Sequence, residues 1–151
     1  MRLYIPGAAL LLVLLVPPVW AQTGTPASQA GEPASFIGLT LEELIGRFGV
    51  PQAVYAVRGL EEWQDDVVFV YPQGDFYVFR DRVWQIGLKS AYRIRAGDPK
   101  SAVFLALGEG VSDKGDHVLC SLGGLNWPVT MRCNFDGTGN VSDIFIFRSG
   151  F

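Results

Sequence analysis

The sequence predicts an α+β domain built as two tandem helix-plus-antiparallel-meander repeats, with the helices packed on one face of the sheet. Three observations point to it. A twelve-residue pattern that opens and closes on glycine occurs twice, at 38–49 and 97–108, with a period of 59 residues. Helical spacing of apolar residues inside each copy gives way to alternation after it. Both copies then close on a Phe, a turn and a V-x-x-I step, Phe79 with Val83 to Ile86 and Phe135 with Val141 to Ile144.

Ahead of the first copy, Met1 to Ala21 reads as a cleavable secretory signal peptide. Arg2 is its basic residue, Ala8 to Val16 its apolar run and Pro17-Pro18 its breaker, with small residues at the cleavage site after Ala21. The alternative, an uncleaved anchor, needs roughly 20 apolar residues, more than the run supplies before the prolines interrupt it. No cysteine near the cleavage site offers a point for lipid attachment. Residues 22–35 are small, polar and rich in Pro and Gly, a composition that reads as a flexible tether. The remaining residues, 36–151, form one domain, divided into repeats at about 36–95 and 96–151.

In the first repeat, Thr40 and Glu43 have capping-box spacing and Leu41, Leu44, Ile45 and Phe48 form one apolar stripe. Gly49 followed by Pro51 ends that helix. Val67 to Tyr71, Phe76 to Phe79 and Val83 to Leu88 then read as strands of a meander, rich in β-branched and aromatic residues. In the second repeat Asp98 is the expected cap, with Pro99 at the first helical position and Ala102, Val103, Ala106 and Leu107 facing inward. His117 to Leu122, Trp127 to Phe135 and Val141 to Arg148 follow as strands.

Composition narrows the function. Without the leader, 11 Lys and Arg face 15 Asp and Glu, a net charge of −4, so no basic excess is present to hold nucleic acid. The single histidine, His117, excludes a two-histidine metal site and has no nucleophile motif beside it. Glu61, Glu62, Asp65 and Asp66 form an acidic cluster that lacks the oxygen spacing of a calcium loop and reads as a solvated segment. No catalytic, cofactor or metal motif emerges. A small secreted hydrolase using those carboxylates or His117 is the enzyme alternative, and a carrier of a small apolar ligand between the repeats is a third.

An exported chain permits a disulfide, and Cys120 and Cys133 are separated by a hairpin-sized stretch of 12 residues, so they are the expected pair; two buried thiols are the alternative. Aromatic and basic residues are the stronger pointer. Trp63, Tyr77, Trp84 and Tyr92, with Arg80 and Arg82, exceed what a small core needs and are the residue types that anchor protein interfaces. Alternation cannot bury both Phe76/Val78 and Tyr77/Phe79 against the helices, so one of those pairs faces away.

The glycine-bounded capped helix, the meander and the closing "F, turn, V-x-x-I" resemble the β-lactamase-inhibitor-protein-like fold. That group includes tandem-repeat secreted inhibitors of β-lactamases and the single-repeat SmpA/OmlA (BamE-type) envelope lipoproteins. The resemblance spans about 36–151 and rests on short motifs. It implies a non-enzymatic, periplasmic or secreted module that binds a protein partner through its sheet, in envelope assembly or scaffolding. Inhibition of a secreted hydrolase is the alternative within this class, although no inhibitory loop carries over residue by residue.

Overall fold

Thr40 and Glu43 open the first helix as their spacing predicts. The Thr40 hydroxyl accepts from the Glu43 N–H at 3.2 Å, and the Thr40 N–H donates to Glu43 Oε2 at 2.8 Å. The helix they cap, α1, runs Leu41–Phe48 and ends at Gly49, whose φ of 77° suits a residue without a side chain. Helix α2, Lys100–Leu107, starts differently from the expected Asp98 cap: Pro99 is its N-cap and no side chain caps it. Asp98 instead accepts from the Arg95 N–H at 2.8 Å, closing the turn that precedes the helix.

The strands, in chain order, are β1 Ala53–Val57, β2 Asp66–Tyr71, β3 Gly74–Phe79, β4 Arg82–Leu88, β5 Ser90–Ala91, β6 Ile94–Arg95, β7 Val111–Asp113, β8 His117–Leu122, β9 Val129–Phe135 and β10 Val141–Arg148. All but β5 and β6, which form a separate hairpin, join one sheet in the order β1-β2-β3-β4-β10-β9-β8-β7, antiparallel throughout. This computed structural model describes residues 32–59, 65–123 and 126–150. The expected signal peptide, and the expected tether up to residue 31, lie outside them. Pro33–Phe36 forms a 3-10 turn that buries Ala34 and Phe36, so folded chain begins ahead of the expected start at Phe36.

The expected class, α+β with two helix-plus-meander repeats, is corrected by this architecture. The described residues are 49% strand and 18% helix, and the strands make one continuous eight-stranded sheet carrying two helices of eight residues each. Two edge strands account for part of the difference. The run Ala53–Val57 has no polar alternation and Val111–Asp113 is only three residues long, so neither carries the alternating period of a half-buried strand. Direct pairing of β4 with β10, through Ile86 opposite Ile146 and Gly87 opposite Phe145, makes the rest: it fuses the strands into a single layer.

The core lies between that layer and the helices. Leu44 of α1 and Val103 of α2 are fully buried against Phe76, Ile86, Met131, Ile144 and Ile146. Full burial of one such aliphatic side chain is worth about 1.5–3 kcal/mol. Under α1, the Phe36, Phe48, Tyr71 and Phe76 rings pack at centroid distances of 5.2–6.1 Å, in tilted and edge-on arrangements. The Tyr71 hydroxyl donates to the Gly49 carbonyl at 3.1 Å, tying the end of α1 to the sheet. Main-chain bonds anchor the segments ahead of both helices: Gly38 and Leu39 to Val83, and Gly97 and Asp98 to Val141.

Cys120 and Cys133 are both free thiols, not the expected disulfide. The register explains why. Cys120 stands opposite Met131 and Cys133 opposite Val118, which makes the two cysteines diagonal neighbours on one face. Diagonal positions are roughly 7–8 Å apart, beyond the span a disulfide bridges without moving the backbone.

Candidate functional site

Strand alternation settles which aromatic pair turns outward. Phe76 and Val78 are buried beneath the helices, while Tyr77 and Phe79 project from the opposite side of β3. Registers extend that outer side into rows across the sheet. One row runs Tyr55, Val68, Tyr77, Gln85, Phe147 and Thr130; its neighbour holds Asp75, Gly87, Phe145 and Arg132. Tyr77, Gln85, Phe145, Phe147 and Arg132 are half-buried, and none belongs to the helix-side core.

A bulge places Trp84 among them. Between Tyr77 opposite Gln85 and Val78 opposite Val83, β4 carries one residue more than β3, and that residue is Trp84. Its indole N–H donates to Asp66 Oδ1 at 2.8 Å across the intervening strand. Asp66 is the buried charged residue of the described chain, 8% exposed. Burial raises its carboxyl above the ordinary value, the Trp84 hydrogen bond acts against that rise, and Asp65 adds to it.

Trp84, Gln85, Arg132, Asn134, Phe145 and Phe147 line a shallow cavity of about 390 Å³ on this face. Arg132 Nε donates to Asn134 Oδ1 at 2.6 Å, which holds the guanidinium over the sheet. The Phe145 ring rests on Gly87, where an added Cβ would come within 3.4 Å of it. Burial, then Tyr55, then the carboxylates of Asp75, Asp66 and Asp143, push the Tyr77 phenol above its ordinary range, so it stays a neutral hydrogen-bonding group at neutral pH. The face therefore offers flat aromatic area, one fixed guanidinium and neutral polar tips. That combination suits recognition of a protein surface.

The remaining expected contact residues divide. Arg80 and Asp81 form the tight β3–β4 turn with φ of 46° and 64°, and the Arg80 guanidinium lies 5.1 Å from the Phe79 ring centroid. Arg82 Nη1 donates to the Gly38 carbonyl at 2.8 Å. Both arginines border a smaller cavity of about 100 Å³ that shares Trp84 with the larger one and reaches Trp127 and Arg148. Gly38 is required there: its φ is 93°, and a Cβ would lie 2.7 Å from the Trp127 ring. Tyr92 occupies the β5–β6 turn, where it is half-buried and packs against the core cluster. Trp63 lies outside the described residues, as do Glu61 and Glu62.

Arg132, Asn134, Phe145 and Phe147 join the surface unexpectedly. Alternation in β9 and β10 separates them from the core residues, but only the β4–β10 pairing brings them beside Trp84. Of the hydrolase candidates, Asp65 accepts from the Gly59 N–H at 3.3 Å, Asp66 is bonded to Trp84, and His117 Nδ1 contacts Asp116 Oδ1 at 2.7 Å. Asp66 and His117 thus stand on different strands, β2 and β8. Among the described residues, no group of three or more His, Cys, Asp or Glu is arranged to hold a metal ion. No helix of the described residues is long and apolar enough to cross a membrane.

No protein-family model matches the chain, and no curated protein matches it. Among solved structures, it is similar to an extracellular protein containing an SCP domain from Bacillus anthracis, at a TM-score of 0.52 and 12% identity. The match covers 85% of this chain and 49% of that one, so the chain spans about half the length of that protein. At this identity the likeness is one of fold alone.

Proposed function

We propose that the chain is an exported, non-enzymatic protein-binding module, acting in the cell envelope or outside the cell as an assembly or scaffolding factor. The observation that carries this reading is the aromatic side of the sheet, where Tyr77, Trp84, Phe145 and Phe147 gather around Arg132 on the face opposite the helices. Aromatic residues beside an arginine are the usual anchors of protein interfaces, and a sheet covered on one side by helices leaves its other side for a partner. Export is supported by the leader-like sequence of residues 1–21 and by a fold neighbour that is itself an extracellular protein.

The test is alanine substitution at Tyr77 and Phe147. These two positions avoid Trp84, whose removal would also deprive the buried Asp66 carboxylate of its donor. With the partner first captured by crosslinking in the native envelope, Tyr77→Ala with Phe147→Ala weakens its binding by about thirtyfold, the effect of losing one interface hot spot. Unchanged partner affinity in the doubly substituted, folded protein would remove this face from consideration.

A further inference from the structure

The two edges of the sheet are protected unequally. At one edge β7 is three residues long, ends in Asp113, and is followed by Lys114; Asp113 is also held by Lys100 at 2.8 Å. Short length and charge at an edge are the usual devices that keep a sheet from pairing with another chain. At the other edge, β1 has five residues, Ala-Val-Tyr-Ala-Val, all exposed, with no charged residue and no proline inside it. Its inner side pairs with β2 from Ala53 opposite Val70 to Val57 opposite Asp66. Its outer side carries the main-chain N–H and C=O groups that alternate residues of an edge strand turn away from their neighbour.

Exposed apolar side chains gather at the same place. Val54, Tyr55 and Val57 of β1, Val67 of β2 and Val50 of the loop entering β1 are all exposed large hydrophobic residues, Val50 by 89%. The strand is also self-complementary. In an antiparallel pair of two copies centred on Tyr55, Ala53 meets Val57, Val54 meets Ala56, and Gln52 meets Arg58. No like charges face each other in that register, and every residue inside the strand meets an apolar one. Because Tyr55 lies in the outer row with Tyr77 and Gln85, the pairing would also carry the aromatic face of one copy into that of the other.

We propose that β1 is a self-association edge, through which a second copy of this chain adds its own β1 in antiparallel register to make a two-fold symmetric dimer with a continuous sheet. The proposal is independent of which molecule the aromatic face binds.

Sedimentation equilibrium of residues 22–151 over a wide concentration range tests it, together with hydrogen exchange of the β1 amides. The expected result is a reversible monomer–dimer equilibrium, with protection of 53–57 that rises with concentration while that of 111–113 does not. Ala56→Pro, which removes an N–H that β1 turns away from β2, weakens the dimer at least about tenfold. Val54→Lys does the same without altering the backbone, and covers the case in which the proline variant fails to fold. A protein that stays monomeric at every concentration, or a dimer that neither substitution weakens, overturns the proposal. Saturation of the edge by an added apolar peptide with no self-association overturns the choice of a second copy as its occupant.

Discussion

Asp66 shows how one carboxylate can lean against the rest of a protein's pH response. Its folded pKa is raised by burial, so the folded chain binds its proton more readily than the unfolded chain does. The cost of keeping it charged is present above the folded pKa and fades as pH falls through that value toward the ordinary 3.8. Glu43, Asp113, Asp116, Asp136 and Asp143 behave oppositely. Hydrogen bonds from Thr40, Lys100, His117, Thr138 and Lys89 lower their pKa values, and that stabilisation is lost as pH falls below the ordinary carboxylate range. The protein as a whole is therefore expected to weaken in acid. Relative to Asp66→Asn, however, the native chain gains stability as pH falls from 7 to 4. Urea unfolding of both proteins across that range checks the sign, and a native chain that loses ground to the variant would show that burial does not dominate at Asp66.

At the scale of elements, the β8–β9 register decides the chemistry of the two cysteines. Their spacing in sequence suits a hairpin bridge, but an offset of two residues in register leaves them diagonal. Alkylation after unfolding, without reductant, is expected to modify both thiols. In the folded protein Cys133 reacts slowly, because burial, with a smaller contribution from Cys120, pushes its thiol from 9.0 to about 11. That shift alone reduces its thiolate roughly a hundredfold against an ordinary cysteine. Intact mass after timed alkylation gives both answers, and two thiols that appear only after reduction would restore the disulfide.

The same scale shows what local sequence conveys. The Thr40–Glu43 capping box and the strands from Val67 to Leu88 follow from spacing and alternation, and they stand where those patterns put them. Asp98 fails as a cap because its carboxylate is engaged by the Arg95 N–H, a contact set by the β6 turn and invisible in a list of capping residues. β1 and β7 escape notice because an all-apolar run and a three-residue strand carry no period.

For the whole molecule, the decisive contact is the pairing of β4 with β10, which joins residues about sixty positions apart. No local pattern specifies it. Without it the chain reads as two small meanders with a helix each; with it, one β layer spans the molecule and Trp84 acquires Phe145, Phe147 and Arg132 as neighbours. Tyr77 is therefore legible from strand alternation and Trp84 from its residue type, whereas the place of Trp84 depends on a bulge and the part supplied by β9 and β10 on long-range register. Tyr92 and Arg82 have further partners that residue type does not convey, the core cluster for one and the Gly38 carbonyl for the other.

Site-specific photo-crosslinking of the full chain in its native host, with the reactive residue placed at Gln85 and, separately, at Leu105, tests whether the outer sheet face binds a partner. Gln85 lies in the middle of the aromatic face, and Leu105 is 88% exposed on α2. A protein adduct of one discrete mass from Gln85 and none from Leu105 is the predicted result. Adducts from Leu105 alone, or the same adducts from both positions, would contradict the assignment of the open sheet face as the binding surface.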